Sequence, residues 1–253
     1  KRGFQELYTD HLDYNLDSEI AYYFNGGQLI DTTNILSSTL GYFYAKENIA
    51  RFYQSVVLTS PEFILKTDTL RYNTLSKIAY SFGPTEIINK EGTTIYANGG
   101  EFQTEINQTE ISSGNIETSE YMLNGEKLFF DDFRQYYLGE GNVKLTSKEN
   151  NLILLGDEGY HDKANGFSKI YGNAIMKKIM QLDTFYVAAD TMVAIESEYD
   201  SAKRILAYPD IRIFKMNVQG IADSTAYFLA DSIIMLYHNP VLWTGENQLL
   251  SDT

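Results

Sequence analysis

The sequence predicts an all-β repeat protein, one elongated stack of strand pairs whose strands bend sharply. Three observations predict it. A corner phrase, Gly or Pro often beside Asn or Asp and then alternating apolar residues, recurs roughly thirty residues apart, and periods of about 20–50 residues mark stacked repeats. A second phrase, built around an acid, falls between its copies. Alternation at period two runs through both, which is the signature of strands.

The corner phrase reads Gly26-Gly27-Gln28-Leu29, Gly83-Pro84-Thr85-Glu86-Ile87, Gly114-Asn115-Ile116, Gly141-Asn142-Val143-Lys144-Leu145, Gly172-Asn173-Ala174-Ile175-Met176, Pro209-Asp210-Ile211-Arg212-Ile213 and Asn239-Pro240-Val241-Leu242-Trp243. Each copy is expected to open a strand. Asn173 to Leu182 could also be drawn as a helix, since Ile175, Ile179 and Leu182 would share a face. The Gly172-Asn173 corner argues for a strand instead.

The acid phrase reads Leu65-Lys66-Thr67-Asp68-Thr69-Leu70-Arg71-Tyr72, Leu123-Asn124-Gly125-Glu126-Lys127-Leu128-Phe129-Phe130, Leu154-Leu155-Gly156-Asp157-Glu158-Gly159-Tyr160 and Val187-Ala188-Ala189-Asp190-Thr191-Met192, with shorter echoes at Asp223 and Asp231. Its apolar pairs break parity. Leu65 and Thr67 sit an odd number of positions from Leu70 and Tyr72, whereas residues sharing a strand face are separated by even steps. An extra residue at the acid would restore one common face, so bends are expected at Asp68, Glu126, Asp157 and Asp190.

Bent strands stacked on one another make a V-shaped trough. Its inner surface is expected to carry Leu65, Leu70, Tyr72, Leu123, Leu128, Phe130, Leu154, Val187 and Met192 from the acid phrase. Val143, Leu145, Ile211, Ile213, Val241 and Trp243 would join them from the corner phrase. Such a lining is either a lipid trough or the packed core of a solenoid, and the alternation itself does not choose.

Composition narrows the function. The formal net charge is −14, a potential that repels nucleic acid and anionic membrane surfaces. There is no cysteine, which removes disulfides, thiolate metal sites and cysteine nucleophiles. No apolar run has the length of a membrane-spanning helix. No Pro/Ser-rich linker divides residues 1–253, which read as a single unit. Its last repeat, Leu249-Leu250-Ser251-Asp252-Thr253, resembles the start of an incomplete acid phrase, and no signal sequence opens the chain at Lys1-Arg2-Gly3-Phe4-Gln5.

Candidate chemistry is sparse. The repeated acids Asp68, Asp157, Asp190 and Asp223 could form a calcium ladder, but each copy supplies one acid, and a carboxylate bracing the bend is the simpler reading. His11, His161 and His238 lack ligand-like spacing and read as exposed turn or strand residues. Asp131-Asp132 and Glu101 with Glu105 could serve a glycosidase as paired carboxylates. No partner is positioned for them in the sequence, and no G-x-S-x-G elbow occurs. Neither an enzyme nor a cofactor is expected.

Leu70-Arg71-Tyr72-Asn73-Thr74, Lys77-Ile78-Ala79-Tyr80-Ser81-Phe82-Gly83-Pro84-Thr85, Ala189-Asp190-Thr191-Met192 and Asn239-Pro240-Val241-Leu242-Trp243 with Asn247-Gln248-Leu249 carry a resemblance. In order and period the chain resembles the OstA-like, LptA-type lipopolysaccharide-transport proteins of the periplasm, in their Bacteroidetes-type form. The resemblance implies an antiparallel β-taco, the OstA-like β-jellyroll. It also implies a non-enzymatic carrier that shields lipopolysaccharide acyl chains on the way to the outer membrane. Partners would be lipopolysaccharide or a similar lipid, and further copies or other Lpt-type proteins joined by edge-strand pairing. The acyl chains are expected to be the recognised part, because an acidic chain is a poor match for lipid phosphates. Two alternatives stand beside it: a structural, polysaccharide- or protein-binding solenoid, and the soluble domain of an outer-membrane lipopolysaccharide translocon.

Overall fold

The structure, a computed structural model, describes residues 5–31, 33–197, 199 and 202–251. Residues 1–4 at the chain's start and residues 252–253 of the last acid phrase lie outside the described residues. The described residues form 23 strands in antiparallel pairs, with no α-helix among them. The all-β expectation holds. Internal contacts cluster into two units, Lys1–Thr118 with Phe129–Phe133, and Ser119–Leu128 with Arg134–Thr253.

The first unit contains β1 (Gln5–Tyr8), β2 (Asp13–Asn15), β3 (Ile20–Tyr23), β4 (Gly27–Asp31), β5 (Asn34–Ser38), β6 (Leu40–Tyr44), β7 (Ile49–Thr59), β8 (Phe63–Asn73), β9 (Ile78–Asn89), β10 (Thr94–Gln103) and β11 (Gln108–Glu117). β12 (Tyr121–Asp131) has residues in both units. The second unit continues with β13 (Tyr136–Ser147), β14 (Leu152–Asp162), β15 (Phe167–Ile179), β16 (Thr184–Ile195), β17 (Arg204–Tyr208), β18 (Ile211–Lys215), β19 (Val218–Ala222), β20 (Ser224–Phe228), β21 (Ile233–Tyr237), β22 (Val241–Thr244) and β23 (Asn247–Leu250). The helix candidate at Asn173 is part of β15, as its corner suggested.

Each unit has two leaves because its long strands bend in the middle. In the first unit, β7 passes through both leaves: Ile49 to Tyr53 pair with β6, and Val57 to Thr59 pair with β5. The second unit mirrors this at β16, whose first half pairs with β18 and second half with β17. Two residues on one strand oppose one on the next at the bends between β7 and β8, β8 and β9, β9 and β10, β13 and β14, and β15 and β16. Gln54 and Ser55 stand against Asp68, and Gly83 and Pro84 stand against the same Asp68 from the other side. Gly141-Asn142 oppose Asp157, and Gly172-Asn173 oppose Asp190.

Gln54, Ser55, Gly83, Gly141, Asn142, Gly172 and Asn173 have positive φ, between 49° and 84°. The extra residue therefore lies in the corner strand and not at the acid, as had been expected. The acid strand runs one residue short, which produces the same parity switch: β8 buries Leu65 and Thr67, then Leu70 and Tyr72. A second correction follows. Corners lie inside β9, β11, β13 and β15 rather than at their starts, and they fold strands instead of opening them. Only at Gly27, Ile211 and Val241 does a strand begin at its corner.

Glycine meets two requirements at Gly141 and Gly172. A Cβ at Gly141 would come within 2.6 Å of a Glu126 carboxylate oxygen, and one at Gly172 within 2.7 Å of an Asp157 oxygen. The neighbouring asparagines donate to those same carboxylates, Asn142 to Glu126 and Asn173 to Asp157. Acid phrase and corner phrase are thus two halves of one brace across the outside of the bend.

Candidate functional site

Between the leaves of the first unit, the sequence's alternation becomes rows of touching side chains. One row runs Leu7, Leu29, Leu36, Leu58, Leu65, Ile87, Ile95 and Ile116 across successive strands. The facing leaf presents Tyr23, Gly41, Phe52, Leu70 and Ser81 in one row and Ala50, Tyr72, Ala79 and Phe102 in another. A Cβ at Gly41 would lie 2.5 Å from the Tyr23 ring, so glycine there makes room for a tyrosine. Spaces of about 20 and 10 Å³ remain, about the volume needed for one water. This interior is packed.

The open side of the first unit, opposite the bends, is closed by polar side chains. Asp31, 1 % exposed, pairs with Lys77 and accepts the Tyr72 hydroxyl proton at 2.8 Å. Burial, then the Asp31 carboxylate, raises the Tyr72 pKa. Asn34 donates to Thr104 at 3.3 Å, Asn89 to Asp132 at 2.8 Å and Gln108 to Asp131 at 2.9 Å. Asp131 and Asp132, set aside in the sequence as paired carboxylates, are therefore part of this lacing. Asp31 was missed in the sequence, although an acid at the inward parity of Leu29 was a signal.

Outside this lacing the first unit has a hollow of about 540 Å³ lined by Asp31, Asn34, Lys77, Thr104 and their neighbours, whereas the hollow at the same place in the second unit reaches its apolar rows. One row crosses Leu145, Leu154, Met176, Val187, Ile213, Gly220 and Leu242. The other leaf carries Ile170, Met192 and Ala207, with Ser168, Ala194, Ile205 and Tyr227 nearer the open side. Between the leaves, at the end remote from the bends, lies a cavity of about 550 Å³, within the roughly 300–1,000 Å³ range of ligand sites. Leu145, Leu152, Leu154, Ala194, Ile205 and Leu229 line it, and Glu120, Glu149, Glu196, Lys163 and Lys203 stand around it. Apolar floor and charged rim make it fit for an amphiphile.

The inward candidates fall as follows. Leu65, Leu70, Tyr72, Leu123, Leu128, Phe130, Val143, Leu154, Val187, Met192, Ile211 and Ile213 are buried. Leu145 is half-buried because it faces the cavity. Of all of them, the structure brings Leu145 and Leu154 together at the cavity wall. Val241 and Trp243 are corrections. Gly220, which is inward, pairs with Leu242, and this register turns Val241 and Trp243 outward beside Ile221; Trp243 is 38 % exposed. A one-residue slip exchanges the faces of a strand.

His161 is a further correction, since it is buried rather than exposed. Its Nδ1 lies 2.9 Å from Ser168 Oγ and 3.7 Å from a Glu196 carboxylate oxygen, with the Tyr121 and Tyr137 rings against it. Burial lowers its pKa, and Lys163 adds to the effect against Glu196, Glu120 and Asp162. Burial and then the Glu196 carboxylate raise that of Tyr121. Leu152, Ile205, Lys163 and Lys203 were not singled out in the sequence. Leu152 shares the parity of Leu154, but the rim lysines come from turns and strand starts with no repeat to mark them.

No curated protein matches the chain. Among solved structures it is similar to LptH, described as the LptA homologous periplasmic component of the conserved lipopolysaccharide transport device from Pseudomonas aeruginosa. The identity is 13 %, with 46 % of this chain and 80 % of that chain covered and a TM-score of 0.40. The family model described as OstA-like protein matches residues 1–68, the stretch from the chain's start to the first acid of the bends.

Proposed function

We propose that the chain is a non-enzymatic periplasmic carrier that shields the acyl chains of lipopolysaccharide, or a similar lipid, between its leaves during transport to the outer membrane. The cavity of about 550 Å³ in the second unit carries the reading. An acyl chain laid on Leu145, Leu152, Leu154 and Ile205 leaves water, and each buried methylene contributes about 0.8 kcal/mol. The OstA-like stretch supports both the lipid and the compartment, because the family that the chain resembles is one of lipopolysaccharide transport. In this reading both units belong to one carrier, and exposed edge strands join it to further copies or to other Lpt-type proteins.

A photo-crosslinking residue at Leu145, Leu154 or Ile205, expressed in the native cell, should trap lipopolysaccharide. The same residue at Lys144, exposed on the outer face, should not. Silence at all three inward positions in a folded protein would sink the proposal.

The packed interior of the first unit favours a second reading, a structural stack that binds polysaccharide or protein on its outside. That reading requires the second unit's cavity to stay free of lipid, so the same crosslinks decide between the two.

A further inference from the structure

On the outer face of the first unit, two arginines stand directly opposite each other on neighbouring strands. The row runs Tyr22, Tyr42, Arg51, Arg71, Tyr80 and Glu101 across β3, β6, β7, β8, β9 and β10. Like charges placed directly opposite destabilise a sheet. Neither guanidinium has an ion pair among the described residues. Each instead lies against a tyrosine, Arg51 5.3 Å from the Tyr44 ring centre and Arg71 5.7 Å from that of Tyr80. Such stacking orients a guanidinium without neutralising it.

The adjacent row shows what the pair faces. Tyr53, Thr69 and Phe82 follow one another across β7, β8 and β9, so the two aromatic residues flank Thr69 at about 10 Å, twice the strand spacing. Together with Arg51, Arg71 and Leu70 they enclose a hollow of about 240 Å³. The Thr69 hydroxyl is already committed to Asp68, at 3.1 Å. What remains for a ligand is two planar donor forks on one side and two aromatic walls on the other.

We infer that this hollow binds an oxyanion carried on a sugar ring. Two guanidiniums suit a phosphate or carboxylate, which they can grip with paired N–H bonds. Tyr53 and Phe82 offer apolar faces to the ring. The ligand also removes the repulsion between the two arginines, so their opposition becomes part of the binding. In a chain of net charge −14, such a site selects an anion by local geometry rather than by overall field. The hollow lies on the outer face and is independent of the lipid cavity.

Titration of the full chain with glucose 1-phosphate, galacturonate, inorganic phosphate and glucose, followed by calorimetry, tests it. Saturable binding is expected for the two anionic sugars, at least tenfold weaker for phosphate and absent for neutral glucose. Arg51→Gln and Arg71→Gln should each weaken sugar binding at least tenfold, and Arg71→Lys, which keeps the charge but not the fork, should weaken it severalfold. Without ligand, both Gln variants should melt at or above the parent temperature, showing that they fold. No saturable binding of either anionic sugar, or binding unchanged in both Gln variants, overturns the site. Equal affinity for inorganic phosphate and the sugar phosphate overturns the role given to the aromatic walls. Glucose uptake overturns the role given to the anion. Lipid crosslinking in the second unit is unaffected by any of these results.

Discussion

Replacing Lys77 by Met should destabilise the first unit far more than replacing its partner Asp31 by Asn. Asp31 is 1 % exposed, whereas the Lys77 side chain keeps 16 % of its surface in water. Removing the lysine leaves a buried carboxylate held by the Tyr72 hydroxyl without its counter-ion, and loss of one partner of a buried pair costs about 3–5 kcal/mol. Because Tyr72 still donates, the lower end applies, about 3 kcal/mol. Removing the acid instead leaves an ammonium that can turn to water, and the neutral amide still accepts the hydroxyl, so about 1 kcal/mol is expected. With a urea dependence of about 3 kcal/mol per molar, the midpoints should fall by about 1 M and about 0.3 M. Trp243 belongs to the second unit, so its fluorescence is the wrong probe. Hydrogen exchange at Leu36, Tyr72 and Phe102 amides across a urea series reads the first unit directly. A Lys77→Met shift equal to or smaller than that of Asp31→Asn would refute the reasoning.

Three further outcomes follow from the second unit and the bends. The depressed His161 pKa means that the unfolded chain binds its proton first, near the ordinary value of about 6.5. Stability contributed by the neutral imidazole is full above that pH and falls as pH drops through it, levelling only below the folded pKa; His161→Gln should flatten urea midpoints between about pH 7 and pH 5. Gly83→Ala meets nothing within 4 Å and incurs only its φ of +84°, about 1 kcal/mol. Gly172→Ala adds a clash with the Asp157 side chain, including its Cβ at 2.8 Å, so about 2 kcal/mol is expected, and equal losses in thermal melts would remove the steric part. Tyr171 is held at a pKa of about 12, first by its hydrogen bond to Glu158 and then by burial; Glu158→Gln should move its alkaline absorbance change downward, and an unchanged titration would exclude the bond as the cause.

The strand content and the bends were legible because each depends on local residue order. Two left-handed corner residues against one acid leave a parity mark in the acid strand, and Leu65 to Leu70 displays it without any knowledge of pairing. Which strand holds the extra residue was not legible, since either assignment produces the same mark. Val241 and Trp243 show the other limit. Their alternation fits both faces equally, and only pairing with Gly220 through Leu242 fixes which side is inward. Tertiary neighbours set that choice.

The cavity itself was less visible than its lining. Leu65 and Leu154 occupy corresponding positions in the acid phrase, yet one is sealed in a packed interior and the other faces about 550 Å³ of space. The difference comes from the open side of each unit. In the first, Asp31, Asn34, Lys77 and Thr104 bond across it and line a hollow of about 540 Å³ outside the apolar rows; in the second, Leu145, Leu154 and Ile205 of the rows themselves line the cavity, with Lys163, Gly166, Glu196 and Lys203 around it. Alternation specifies what points inward, but the spacing of two leaves is set where they end. The same alternation can therefore end behind a polar lacing in one unit and face open space in the other, with the polar residues at the strand ends deciding which.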